Sequence, residues 1–190
     1  FTTDFLGSTE RTQNLTSITG TSGFKNQSTL DDIYIGSNVT SIGSYSFQYS
    51  GNFNITIASG LTTIANYGFG GSYISGSLKL PNSVTTIGDY AFIYSTLTSI
   101  TLPTNASFTT ISSGAFVYNS LTSLTIPDSV TTIGSSAFSY GSISSLTIPD
   151  SVTSIGGSAF AFSSLTSVTL PTNASFTTIP SSAFQYCGLT

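Results

Sequence analysis

At 190 residues and 19.7 kDa the chain has the size of one ordinary domain or one continuous repeat array. Only 5% of it is charged, three Lys/Arg against seven Asp/Glu for a net charge of −4, so nothing here neutralises a phosphate backbone and nucleic-acid binding is excluded. There is no His, Met or Trp and a single Cys, which removes zinc and haem sites, a disulfide framework and every His-based catalytic arrangement.

With 38% hydrophobic and 13% aromatic residues the chain can still bury a core. No apolar run approaches the ~18 residues of a membrane span, so no membrane insertion is expected. The chain starts at Phe1 rather than Met and reads as a processed form or an excised segment. Residues 1–14, opening on Phe1 to Leu6, read as a degenerate first strand and loop ahead of a single repeat domain over 15–190. Six N-x-S/T sequons follow, at Asn14, Asn26, Asn38, Asn54, Asn105 and Asn173. Asn38, Asn105 and Asn173 fall in the same inter-strand turn and are the expected glycan positions, ahead of Asn54, which sits on a strand.

From there the sequence repeats itself. Phe recurs at 24, 47, 69, 92, 116, 138, 160 and 184, in steps of 22 to 24, and Ile recurs in phase at 18, 42, 64, 87, 111, 133, 155 and 179. Where the step is 24, the turn Pro127 to Ile133 is replaced by a version two residues longer, Pro103 to Ile111 or Pro171 to Ile179, with the flanking apolar positions kept. A solenoid absorbs insertions this way, because each coil needs only its buried ladder in register. Each coil divides into three parts. L-T-S-L-T-I-P alternates apolar and polar residues and predicts a strand ended by Pro127. V-T-T-I-G predicts a shorter extended piece stopped by Gly134, and S-A-F-x-Y predicts a tight helical or 3₁₀ return. About eight coils of 22–24 residues are expected, mainly β, with the Phe and Ile columns as stacked core.

The run Leu121 to Phe138, LTSLTIPDSVTTIGSSAF, resembles the BspA-like leucine-rich repeat family, and the resemblance extends from about Leu15 to Thr190. It implies a leucine-rich-repeat solenoid, on a cell surface or secreted, with roles in adhesion and protein recognition. Members of that family commonly carry Cys three residues after the Phe. Ser50, Ser95, Asn119, Gly141 and Ser163 stand there in this chain, and only Cys187 matches, which implies a buried thiol.

Alternation along the first strand predicts two outward columns. One is Asp32, Asn54, Ser77, Ser99, Ser123, Ser145 and Ser167; the other is Tyr34, Thr56, Lys79, Thr101, Thr125, Thr147 and Thr169. The chemically varied stretch, Asp32, Tyr34, Asn54, Thr56 and Lys79, is the expected specific contact, and Thr101, Thr125, Thr147 and Thr169 extend it as a hydroxyl face. A second column, Tyr49, Tyr94, Tyr118, Tyr140, Phe162 and Tyr186, reads as packing along the turn or as a contact surface. Asp128 and Asp150 occupy one turn position in adjacent coils and read as turn residues bonding nearby backbone amides. No catalytic residue, metal or cofactor is expected, because no base, nucleophile or ligand set converges. The functional expectation is a non-enzymatic extracellular structural or adhesive protein with protein or glycan partners. The alternatives are a subunit of a head-to-tail filament, since the chain opens and closes at nearly the same phase of the repeat, and an ice- or carbohydrate-binding array.

Overall fold

The computed structural model describes residues 17–18, 24–28, 30 and 32–190. The expected strand and loop over 1–14 lie outside the described residues, as does the sequon at Asn14.

Thirteen short strands are found among the described residues, and every strand pairing is parallel. Seven are two-residue rungs on the apolar positions of V-T-T-I-G: β1 Ser17–Ile18, β3 Ser41–Ile42, β5 Thr63–Ile64, β7 Thr86–Ile87, β9 Thr110–Ile111, β10 Thr132–Ile133 and β12 Ser154–Ile155. Six belong to the longer strand of the coil: β2 Asp32–Ile35, β4 Asn54–Ile57, β6 Ser75–Lys79, β8 Thr96–Thr101, β11 Ser145–Thr147 and β13 Ser167–Thr169. Isoleucine lies on isoleucine from coil to coil, Ile42 on Ile64 and Ile64 on Ile87, and the rings from Phe24 to Phe184 form one continuous stack. Centroids in that stack lie 4.8–5.6 Å apart, and Phe47, Phe69, Phe92, Phe116, Phe138 and Phe160 are fully buried. The core is therefore a column rather than a ball, with each layer packed only on its neighbours.

Two local substitutions account for where the rung ladder stops. The residue after the rung isoleucine donates its N–H to the isoleucine of the preceding coil, at 2.6–2.7 Å for Gly43, Gly88, Gly134 and Gly156. Ser112 takes this place in the fifth coil and bonds the Ile87 carbonyl through its hydroxyl instead, at 2.5 Å. The ladder divides there, into β1-β3-β5-β7 and β9-β10-β12. Pro180 takes the place in the last coil, has no N–H to offer, and no strand forms at 178–179.

The return segment corrects one expectation. No helix of any kind occurs among the described residues, and S-A-F-x-Y is a run of hydrogen-bonded turns. In the second coil Ser46, Gln48 and Ser50 donate to Gly43, Tyr45 and Phe47 and close successive turns. The intervening Tyr45, Phe47 and Tyr49 donate instead to Asn66, Gly68 and Gly70 of the next coil. Tyr45 and Tyr49 have φ of 62° and 57°, the left-handed conformation demanded at the third position of a type II turn. Alternating handedness is incompatible with a helical run, which is why the helical reading fails.

The repeat's Ser/Thr content follows from the same geometry. Thr62, Thr85, Thr131 and Thr153 each donate a hydroxyl to a threonine carbonyl one coil earlier. On the other side of the coil, the residue three after the phenylalanine caps the preceding Phe carbonyl in several coils, while Ser95 turns to the Ser72 carbonyl instead. Ser50 bonds Phe24, Ser72 bonds Phe47, and Asn119 bonds Phe92. Truncating Ser72 to alanine leaves the buried Phe47 carbonyl with only its turn partner and is expected to cost about 1–2 kcal/mol, read as a lowered urea midpoint with unchanged slope.

Candidate functional site

The outward strand face is laid out as the alternation predicts over its N-terminal part. Asp32 faces Asn54 and Tyr34 faces Thr56 in the β2–β4 pair, and Lys79 faces Thr101 in β6–β8. The Asn54 amide donates to the Asp32 carboxylate at 3.0 Å, and Ser99 donates to Ser77 at 2.7 Å. Tyr34 stands 70% exposed at the edge of this patch. The structure thus brings Asp32, Tyr34, Asn54 and Thr56 together on the β2–β4 pair and Lys79 and Thr101 together on the β6–β8 pair, with no strand pairing between β4 and β6.

Further along, the face is interrupted. Residues 121–127, the copy in which the repeat is easiest to read, form no strand, so Ser123 and Thr125 lie outside the ladders. Thr147 and Thr169 pair with each other in β11–β13, leaving three separate two-stranded pieces rather than one seven-rung sheet. Thr101, Thr125, Thr147 and Thr169 are all exposed, and none of their hydroxyls enters a described hydrogen bond, whereas Thr98 on the same strand as Thr101 donates to the Gly76 carbonyl at 3.1 Å. They differ in this from the threonines of the rung columns, whose hydroxyls are consumed between coils.

The expected turn positions are more deeply built in than their sequence suggests. Asn105 donates both amide hydrogens to the preceding coil, to Asn82 at 2.8 Å and Val84 at 2.7 Å, and accepts from the Ser107 and Phe108 amides. Asn173 repeats this with Asp150, Val152, Ser175 and Phe176. These asparagines are the brackets that hold the two-residue insertion, and a glycan on either Nδ2 takes away one of its two donors. Asn105→Asp and Asn173→Asp are each expected to cost about 2–3 kcal/mol by chemical denaturation, because the carboxylate returns no donor to two carbonyls. Asn38 is exposed, and Asn54 is exposed on the strand face. Asp150 accepts from the Thr172 amide at 2.6 Å, as a turn residue should, while Asp128 is exposed with no described hydrogen bond. Cys187, expected buried, is half-buried. It packs against the core, and its thiol donates to the Phe160 carbonyl at 3.1 Å.

The aromatic edge carries two columns rather than one. Tyr94, Tyr118, Tyr140, Phe162 and Tyr186 stack with centroids 4.3–4.7 Å apart. A parallel stack of Tyr45, Tyr67 and Tyr90 escaped the sequence reading, although S-Y-S-F, N-Y-G-F and D-Y-A-F place tyrosine two residues before three successive phenylalanines. Lys25 lies 5.6 Å from the Tyr45 ring centre, a cation over an aromatic face. Both columns sit at left-handed positions, where a bulky residue is strained by about 1–3 kcal/mol. Ring stacking returns about 0.5–1.5 kcal/mol per pair beyond the area buried. Glycines interrupt both columns: Gly71 separates Tyr49 from the Tyr94 stack, and a Cβ there would lie 2.4 Å from the Tyr49 ring, while Gly114 follows Tyr90, where a Cβ would lie 2.3 Å from the Tyr90 ring. A hydrogen bond with Tyr140, then burial, hold the Tyr118 phenol above its ordinary pKa; burial, then the Tyr90 and Tyr45 neighbours, do the same for Tyr67.

Parallel rungs, an isoleucine-phenylalanine column and a carbonyl-capping polar column define a leucine-rich-repeat solenoid. The chain belongs to the BspA-type leucine-rich repeat family, whose description matches residues 16–141 and 75–190 in six copies, against the eight coils expected from the phenylalanine spacing. Among solved structures it is similar to a leucine-rich cell surface protein from Faecalibacterium prausnitzii A2-165, at 27% identity and a TM-score of 0.53, over 84% of this chain and 46% of that one. It is also similar to a leucine-rich repeat protein from Bacteroides ovatus ATCC 8483, at 27% identity and a TM-score of 0.57, over 76% of this chain and 44% of that one. The chain spans less than half the length of either. No curated protein matches it in sequence. Among the described residues no helix is long and apolar enough to cross a membrane.

Proposed function

We propose that this chain is a non-enzymatic interaction module of an extracellular or cell-surface protein, engaging a protein partner through the outward strand face. The observation that carries the reading is the division of labour among hydroxyls. Thr62, Thr85, Thr131 and Thr153 beside the rungs, and Thr96 and Thr98 in β8, bond the preceding coil, whereas the outward column of Thr101, Thr125, Thr147 and Thr169 is exposed and outside the described hydrogen bonds. The specific part of the contact is the patch of Asp32, Tyr34, Asn54, Thr56 and Lys79, where an exposed aromatic ring and a carboxylate on β2 are followed two coils along by a cation on β6. Exposed Tyr is among the side chains that most often dominate an interface. The surface location is supported by the Faecalibacterium cell surface protein. Three two-stranded pieces fall short of the flat, uniform array that matching an ice lattice or a crystalline glycan needs.

Binding of the purified full chain to arrayed extracellular-matrix proteins and glycans tests the proposal. Replacing Tyr34 and Lys79 together by alanine is expected to weaken capture of the protein ligand about tenfold or more. Retention of binding by that variant, or capture by glycans alone, refutes the assignment.

A further inference from the structure

We propose that the Tyr118–Tyr140 pair is an oxidative cross-linking site, at which a peroxide-driven one-electron oxidant joins two adjacent coils through a dityrosine bond. The pair is the tightest ring stack among the described residues, with ring centroids 4.3 Å apart and planes 20° from parallel. The Tyr140 phenol is the foremost influence on the Tyr118 hydroxyl, so the oxygen-bearing end of one ring lies near the other ring. Both rings are reachable from solvent, at 40% and 43% exposure, so an oxidant can meet them and the side chains have room to turn.

Composition leaves tyrosine as the chief oxidisable residue, and stacking singles out the pair among the tyrosines. The chain contains no Met, Trp or His, and its one Cys is half-buried at the opposite end of the ladder from Tyr94. The phenols are left as the principal electron donors on the surface. Tyr94 stacks on Tyr118 at 4.7 Å and can pass its oxidation to the pair, whereas Phe162, 4.6 Å beyond Tyr140, cannot be oxidised in this way and ends the run.

The chemistry balances with hydrogen peroxide as the terminal oxidant. Each phenol gives up one electron and its hydroxyl proton, and two electrons and two protons reduce one peroxide to two waters. The two phenoxyl radicals form a carbon–carbon bond between the ring positions next to the oxygens. Those two carbons then lose their hydrogens as protons and the oxygens regain theirs. The product lacks two hydrogens and ties residue 118 to residue 140 on the outside of neighbouring coils. Such a tie resists unfolding of the pair as a disulfide closing the same loop would.

The test treats the full chain, dilute, with a haem peroxidase and stoichiometric peroxide, then separates monomer from dimer. The expected result is blue dityrosine fluorescence in the monomer, with the loss of two hydrogens in its intact mass. Tyr140→Phe keeps a ring that the same column already accepts at Phe162, and it should remove most of that fluorescence. Tyr186→Phe should leave it unchanged. Fluorescence confined to dimers, or a monomer signal indifferent to Tyr140→Phe, overturns the proposal. An unlabelled, unoxidised monomer under conditions that oxidise free tyrosine overturns it as well.

Discussion

Truncating Phe116 to alanine is expected to destabilise the chain by about 3–5 kcal/mol and to split its unfolding into two transitions. The ring is 1% exposed and sits mid-column, stacked on Phe92 and Phe138 at 5.4 Å on either side. Its removal leaves a void that the neighbouring layers cannot close, because each is held at a fixed coil spacing by backbone bonds from Phe92 to Ala115 and from Phe116 to Ala137. The fifth coil is also the place where the rung ladder is already divided, between Ile87 and Ile111, so coupling across it rests heavily on the aromatic column. In a nearest-neighbour array the loss of one interface uncouples the two halves. Chemical denaturation followed by far-ultraviolet circular dichroism should give one transition for the parent and two for Phe116→Ala. The same truncation at Phe184, half-buried and covered on one side only, should cost less and leave a single transition.

The core was legible because burial repeats. Phenylalanine and isoleucine recur once per coil, and a period near 23 residues has no other economical meaning than a stacked column. The turn was misread because a small residue beside a large one, as in Ala137-Phe138, suits a helical turn as readily as a chain of β-turns. What decides between them is the left-handed φ at Tyr45, Tyr49 and their equivalents, and tyrosine carries no sequence signal for that conformation. The strand face was legible in register and not in continuity. Alternation assigns Ser123 and Thr125 to the outside, yet it cannot say whether the 121–127 segment hydrogen-bonds to its neighbours. The asparagines at 105 and 173 read as sequons because the motif is local. Their structural partners, Val84 and Val152, lie 21 residues away, where only the coil geometry brings them into reach.

The glycine after the rung isoleucine looked like a strand stop and proves to be a close-approach position, which makes Gly134→Ala the second substitution with a large expected effect. A Cβ on Gly134 would lie 2.6 Å from the Ser113 amide nitrogen and 2.8 Å from the Ser112 carbonyl carbon, and on Gly156 it would lie 2.4 Å from the Ser135 nitrogen. These contacts are backbone, so no side chain can turn aside to admit the methyl group. The chain itself contains the natural comparison. With alanine at 65 the bond to the preceding isoleucine carbonyl lengthens to 2.9 Å, and with serine at 112 the backbone bond is replaced and the ladder breaks. Gly134→Ala is therefore expected to cost about 1–3 kcal/mol through overpacking. Its signature is accelerated amide hydrogen exchange at residue 134, whose N–H bonds Ile111, ahead of any change at Ile87 or earlier rungs. The reverse change, Ser112→Gly, should do the opposite locally. It removes the hydroxyl bond to Ile87 and adds glycine's chain entropy, at a combined cost of about 1–2 kcal/mol. In exchange it lets the amide at 112 take up the bond that Gly88, Gly134 and Gly156 make. Newly acquired exchange protection at residue 112, with net stability shifted by no more than about 1 kcal/mol, would identify the serine as the cause of the break in the ladder.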